Sequence, residues 1–250
     1  MFTDTHAHFE KQYYDNYEIV IDNAKKNFVN RIISSGCSKL ANIESIKVSN
    51  KYNNVYSTIG YHPDQADIIT DMDIKELEEL LDNEKIVGIG EIGLDYHYEG
   101  YDKDKQKKLF IEQLKLAQKH ALPVVIHSRD AVQDTIDILK KYPNIKGVIH
   151  SFSGSFEVAN IYIGMGFKLG INGVVTFKNS KLKETLLKID PSNIVLETDS
   201  PYLTPHPFRG EKNESKNIKI IAEFLSDLYG IPLEKLSEIT NKSVAEIFDI

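Results

Sequence analysis

Pro123-Val124-Val125-Ile126-His127 is a short β-branched run that stops on an imidazole. Such a run is too short for a helix, and its valines and isoleucine suit a strand of a parallel sheet. Seven further runs share its character: Phe2-His6, Val29-Ser34, Val55-Gly60, Ile86-Glu91, Gly147-His150, Phe167-Ile171 and Ile194-Thr198. Each is followed by a stretch able to form a helix, and that alternation is the pattern of repeated β-α units. Eight such units can close into a (β/α)8 TIM barrel, which leaves no sheet edge exposed, and 250 residues is the usual length for one. A doubly wound open sheet is the alternative.

In Lys105-His120 the apolar positions Leu109, Phe110, Leu114, Leu116 and Ala117 recur at helical spacing, with lysines between them. Near the end, Ser215-Tyr229, Leu233-Thr240 and Ser243-Phe248 read as successive helices parted by Gly230-Pro232 and by Asn241, so one or two additional C-terminal helices are expected outside the barrel. No linker, low-complexity tract or further repeat interrupts the chain. Residues 1–250 read as a single domain.

Cys37 is the only cysteine, which rules out an intramolecular disulfide and a thiolate metal cluster and leaves the chemistry to His, Asp and Glu. Cys37 itself reads as an inert small residue. The N-terminal MFTDTHAHFE has neither a basic nor an apolar signal region, and no apolar run is long enough to span a bilayer, so a cytoplasmic protein without membrane contact is expected. A net charge of -7 argues against a protein that coats nucleic acid with a broad basic face. An enzyme gripping a few phosphates through bound cations remains compatible with it.

Thr3-Asp4-Thr5-His6-Ala7-His8 places two histidines two residues apart at the end of the first strand, where alternate side chains share a face. Alone, a His-x-His pair is a weak metal signal. Glu91, His127 and His150 each end a strand run, however, and Asp199 follows the last one. A polar residue at a strand end ordinarily caps a helix or starts a turn. In a barrel, though, these ends converge on one mouth, where four imidazoles and two carboxylates would share a pocket. Such donors suit zinc, magnesium, manganese or nickel, and a bridging carboxylate allows two divalent cations about 3.5–4 Å apart. Glu91 is the natural bridge, between one ion on His6 and His8 and a second on His127 and His150. Asp199 would complete the first and accept a proton from the attacking water.

The same residues lie in a series of motifs: Asp4-Thr5-His6-Ala7-His8, Gly60-Tyr61-His62-Pro63, Gly90-Glu91-Ile92-Gly93-Leu94-Asp95-Tyr96, Val124-Val125-Ile126-His127-Ser128-Arg129-Asp130, His150-Ser151-Phe152-Ser153-Gly154 and Glu197-Thr198-Asp199-Ser200-Pro201-Tyr202. In this order, and over the whole chain, they resemble the TatD family of metal-dependent deoxyribonucleases. The resemblance implies a TIM-barrel metallohydrolase of the amidohydrolase superfamily with a two-metal centre and phosphodiesterase activity on DNA, in several members as a 3′-to-5′ exonuclease. It implies His6, His8, Glu91 and Asp199 as ligands of one metal and Glu91, His127 and His150 as ligands of the other. Glu91 stands where other members of the superfamily carry a carboxylated lysine. Two departures touch substrate grip: Glu211 and Ser215 replace a basic residue and a proline, and Tyr96-His97-Tyr98-Glu99 lacks an arginine common there.

Substrate residues are read from position alone. Arg129 and Arg209 could each clamp a phosphate or simply pair with Asp130 and Glu211. His62 and His97 are candidates for the pocket, as are Tyr96, Tyr98 and Tyr202 for stacking on bases. The expected partner is DNA, with single-stranded ends favoured, and RNA or tRNA as alternatives; the chain is expected to be a monomer. Rival readings are a D-aminoacyl-tRNA deacylase or other ester or amide hydrolase on the same centre, and an inactive metal-binding barrel.

Overall fold

A computed structural model describes all residues, Met1–Ile250. The apolar runs form eight parallel strands paired in chain order: β1 Phe2–Ala7, β2 Val29–Ser35, β3 Val55–Ile59, β4 Ile86–Asp95, β5 Val124–Arg129, β6 Gly147–Ile149, β7 Phe167–Ile171 and β8 Ile194–Leu196. The ring closes between the last strand and the first through His8 N–H to Ser200 O at 2.8 Å and Asp199 N–H to His6 O at 2.9 Å. The buried Asp4 carboxylate reinforces this seam by accepting from the Thr198 amide at 2.9 Å and its hydroxyl at 2.6 Å. The result is a (β/α)8 TIM barrel.

The crossovers are α1 Tyr17–Lys26, α2 Lys39–Lys51, α3 Asp71–Leu80, α4 Lys103–His120, α5 Val132–Leu139, α6 Phe156–Gly164, α7 Leu182–Leu186 and α8 Ile218–Tyr229. Several begin on a side-chain cap, such as Asn16, Ser38 and Asp102, and Thr70 with Asp73 forms a reciprocal capping box. On α4 the apolar positions singled out in the sequence are buried, whereas His120 packs against Glu78 at 2.6 Å.

The C-terminal region departs from expectation. Leu233-Thr240 and Ser243-Phe248 are one continuous helix, α9 Leu233–Phe248, because Asn241 does not break it. The Asn241 side chain instead reaches Met1 O, and Ser243 reaches Ser192 O. Ser215–Asn217 is a short 3-10 turn rather than the start of α8. Met1 and Ser192 precede β1 and β8, so α9 lies across the N-terminal end of the barrel. Its Val244, Ile247 and Phe248 pack with Ile33, Val87, Val125, Val148 and Val195 in a separate apolar cluster that closes that end. The opposite end, where the strands finish, stays open.

Candidate metal centre

The ligand positions are fixed by strands whose interior is rigidly packed. His6 lies within β1 and His8 just beyond it, Glu91 and Asp95 lie on β4, His127 on β5, His150 follows β6, and Glu197 and Asp199 follow β8. Asp199 adopts a left-handed backbone, φ 56°, which short acidic side chains tolerate. Asn213 pins this turn by donating to Thr198 O at 3.0 Å and Tyr202 O at 2.6 Å.

Two sets of donors face one another. The Nε2 atoms of His6 and His8 are 3.2 Å apart; Asp199 Oδ1 lies 3.7 and 3.4 Å from them, and Glu91 Oε2 lies 3.5 and 3.9 Å away. Four ligands at about 2.1 Å around a tetrahedral ion stand roughly 3.4 Å from each other, so these separations fit a single divalent ion. The other oxygen of Glu91, Oε1, faces His127 Nδ1 at 2.8 Å and His150 Nε2 at 3.8 Å. His150 Nε2 is also 3.5 Å from Asp199 Oδ1, and its ring stacks on His6 at 3.7 Å.

Outside the donors runs a shell that the sequence reading missed. Asp95 accepts from His127 Nε2 at 3.1 Å. Glu197, wholly buried, faces His150 Nδ1 at 3.1 Å and takes the Ser151 amide at 2.7 Å and the Asn172 amide group at 3.2 Å. Ser35 bonds His6 Nδ1 at 3.1 Å. Partners of this kind fix which imidazole nitrogen is free to meet a metal. Gly170 on β7 leaves the room Glu197 needs, since a Cβ there would stand 2.2 Å from Glu197 Oε2. Asp95 and Glu197 stand inside the Gly-Leu-Asp-Tyr and Glu-Thr-Asp-Ser motifs, and strand alternation, with Glu197 two residues before Asp199, is the signal that could have marked them.

The electrostatics are those of a cation site. Burial alone would raise the Glu91 carboxyl, yet His150, His127 and His6 hold it well below its usual range; Asp199 is likewise depressed against burial by His150 and His8. Burial would lower His127, but Asp95 and Glu91 push it up to about 9. For His150, Glu197, Asp199 and Glu91 overcome burial and push it up to about 10. These shifts favour protonated His127 and His150 in the metal-free protein, so binding of a divalent ion there would release protons.

Above the centre is an open cleft of about 610 Å3 walled by His8, His62, His127, Arg129, Asp199 and Tyr202, among others. Glu91, Asp95, His150 and Tyr98 also reach it. His62 lies edge-on to His127 at 4.5 Å. Arg129 makes no ion pair; its guanidinium lies 5.3 Å from the Tyr98 ring, and Asp130 pairs with His97 instead. His97 stands in a side lobe of the cleft. Two candidates fall outside the wall. Tyr96 gives its hydroxyl to Asp134 at 2.8 Å and is covered by Lys103, which is a packing role. Arg209 lies over the Phe177 ring at 4.4 Å, without the acidic partner considered for it. Ser215 is fully buried and Glu211 is exposed, so neither departure alters the donor set.

A family model described as TatD related DNase matches residues 3–249. The chain belongs to the TatD family. It is 40% identical over 254 residues, covering all of both chains, to a protein of Bacillus subtilis named "Uncharacterized metal-dependent hydrolase YabD". It is 35% identical over 201 residues, 79% of this chain and 75% of the other, to the metal-dependent hydrolase YcfH of Escherichia coli. Among solved structures, the TatD homologue YjjV of Escherichia coli superposes with a TM-score of 0.94 at 27% identity, covering 100% of this chain and 98% of that one. A TatD family hydrolase from Entamoeba histolytica gives 0.88 at 25% identity, with 99% and 97% covered. As a family member, then, this chain is a metal-dependent hydrolase built on a TIM barrel. No helix is long and apolar enough to cross a membrane.

Proposed function

We propose that the protein is a deoxyribonuclease that hydrolyses phosphodiester bonds of single-stranded DNA from 3′ ends, using two divalent cations. The observation that carries this reading is the division of Glu91, whose Oε2 faces His6 and His8 while its Oε1 faces His127 and His150. A carboxylate so shared fits two ions about 3.5–4 Å apart. The donors, imidazole nitrogen and carboxylate oxygen, suit zinc, manganese, nickel or magnesium. His6, His8, Glu91 and Asp199 would hold one ion, and Glu91, His127 and His150 the other. When bound, such a pair supplies Lewis acidity that lowers the pKa of a shared water and neutralises the phosphate oxygens.

The chain's own groups do the rest. Asp199 stands between the two sets, 3.4 Å from His8 and 3.5 Å from His150, and is kept ionised, so it is placed to receive the proton of the attacking water. Arg129, free of any acid, can hold a phosphate oxygen at the cleft wall. Tyr98 and Tyr202 offer exposed faces in the same cleft for unpaired bases. The family description supports DNA as the substrate.

The test compares Asp199→Asn with the parent on a short single-stranded oligonucleotide, beside metal content. The amide keeps one coordinating oxygen and loses the proton acceptor, so metals should remain while turnover falls by about 10²–10⁴. Near-parental turnover with full metal would assign water activation to another group. A metal-loaded parent that cleaves D-aminoacyl-tRNA but no DNA would overturn the substrate reading.

A further inference from the structure

Beside the metal cleft lies a second lobe of about 530 Å3 whose wall shares Arg129, His150, Ser151 and Ser153 with it. Its character differs from the cleft's. No carboxylate of the metal centre reaches it, and its far side is apolar: Phe152, Ile149 and Tyr162, all buried, with Val158 and the exposed Val132. Ser128 and Ser151 supply hydroxyls, and the Tyr162 hydroxyl is buried in this wall with no hydrogen-bond partner. A volume of this size lies in the range of about 300–1,000 Å3 found for small-molecule sites, which combine an apolar lining with a few polar groups.

We propose that this lobe is the subsite for one nucleoside flanking the scissile phosphate. The inference rests on the phosphodiesterase reading above. Its argument is the junction between the lobes: Arg129, a cation without an acidic partner, borders both, so an anionic linker belongs where they meet. What is esterified to that linker on the side of the second lobe must be a body with apolar faces and polar edges. A base and its sugar have that chemistry: Phe152 and Val158 offer contact to faces, and the serine hydroxyls offer partners to ring and sugar heteroatoms.

Val132 begins α5 and is 36% exposed, so Val132→Trp can fill the lobe without disturbing the core; Val158→Phe narrows it from α6. Each is measured for hydrolysis of thymidine 5′-(4-nitrophenyl) phosphate and of methyl 4-nitrophenyl phosphate, whose methyl group is too small to fill the lobe, and for calorimetric binding of thymidine 5′-monophosphate and inorganic phosphate. The expected result is a rise of about tenfold or more in KM for the nucleotide ester and in Kd for the monophosphate. Hydrolysis of the methyl ester and binding of phosphate should stay within twofold. Equal losses on both esters, or no change on either, overturn the subsite while leaving the phosphodiesterase reading standing. A metal-loaded parent that hydrolyses neither ester overturns both.

Discussion

Replacing Glu197 with glutamine tests whether the buried shell, rather than the ligands alone, sets the metal centre. In the parent, Glu197 Oε1 is committed to two donors, the Ser151 amide at 2.7 Å and Asn172 Nδ2 at 3.2 Å, while Oε2 faces His150 Nδ1 at 3.1 Å. The carboxylate therefore makes His150 carry its proton on Nδ1 and leaves Nε2, 3.8 Å from Glu91, free for a metal. Glutamine has nearly the same shape but one carbonyl and one amino group. The two donors demand the carbonyl, so the amino group must turn to His150 Nδ1 and require it to accept. The neutral ring then holds its proton on Nε2, which blocks the metal-facing nitrogen. Removing such a partner typically costs 10–100-fold in metal affinity, about 1.4–2.7 kcal/mol. The assay is competition with a chelator of known affinity, with metal counted per chain, and thermal unfolding of the metal-free variant as a folding control. Unchanged affinity for both ions in a folded Glu197→Gln protein would refute the argument that Glu197 selects the tautomer.

Acid should strip the centre: with His127 raised to about 9, His150 to about 10 and His8 also raised, against burial, by Asp199 and Cys37 in the metal-free chain, binding at pH 7 displaces at least two protons, so apparent affinity should rise steeply from pH 7 towards 9 and proton release should appear in calorimetry in different buffers. The same raised values stabilise the metal-free fold fully below the unfolded histidine value of about 6.5 and lose that contribution as pH rises through 9–10, which metal-free melting curves against pH can check. Added divalent metal at about 1,000 times its Kd should stabilise the fold by about 4 kcal/mol, raising Tm by roughly 8–16 °C, and a chelator should reverse the shift. Phe248→Ala, in the plug at the closed end, should cost about 3–5 kcal/mol in unfolding yet leave turnover per folded molecule unchanged at low temperature.

The strands were legible because the barrel buries each of them on both faces, which forces β-branched runs such as Val124-Val125-Ile126; every run identified in the sequence is a strand within a few residues. The end of α9 was not. Asn241 looks like a helix stop by composition, but its side chain satisfies Met1 O, a contact 240 residues away that no local pattern encodes. Likewise the six donors stood out because each ended a run, whereas Asp95 and Glu197 act through another side chain and looked like ordinary polar residues. For Tyr96, too, proximity in sequence to Glu91 does not reveal that its hydroxyl turns to Asp134 on α5. Arg129 and Arg209 could not be told apart without knowing that one lines the cleft and the other lies on Phe177.

The seam between β8 and β1 joins the last strand to the first, and it carries three of the donors. His8 N–H to Ser200 O and Asp199 N–H to His6 O are bonds between the very residues, or their neighbours, whose side chains face the first ion. Asp4 adds a third link to Thr198, and its burial lifts its carboxyl to about 7 despite those hydrogen bonds. Bringing together positions nearly two hundred residues apart must overcome loop-closure entropy that local contacts do not repay. An ion shared by His6, His8 and Asp199 would tie the two sides of that seam directly. Closing the barrel at this seam therefore also sets His6 and His8 beside Asp199, and whatever binds those three donors would help hold the seam shut.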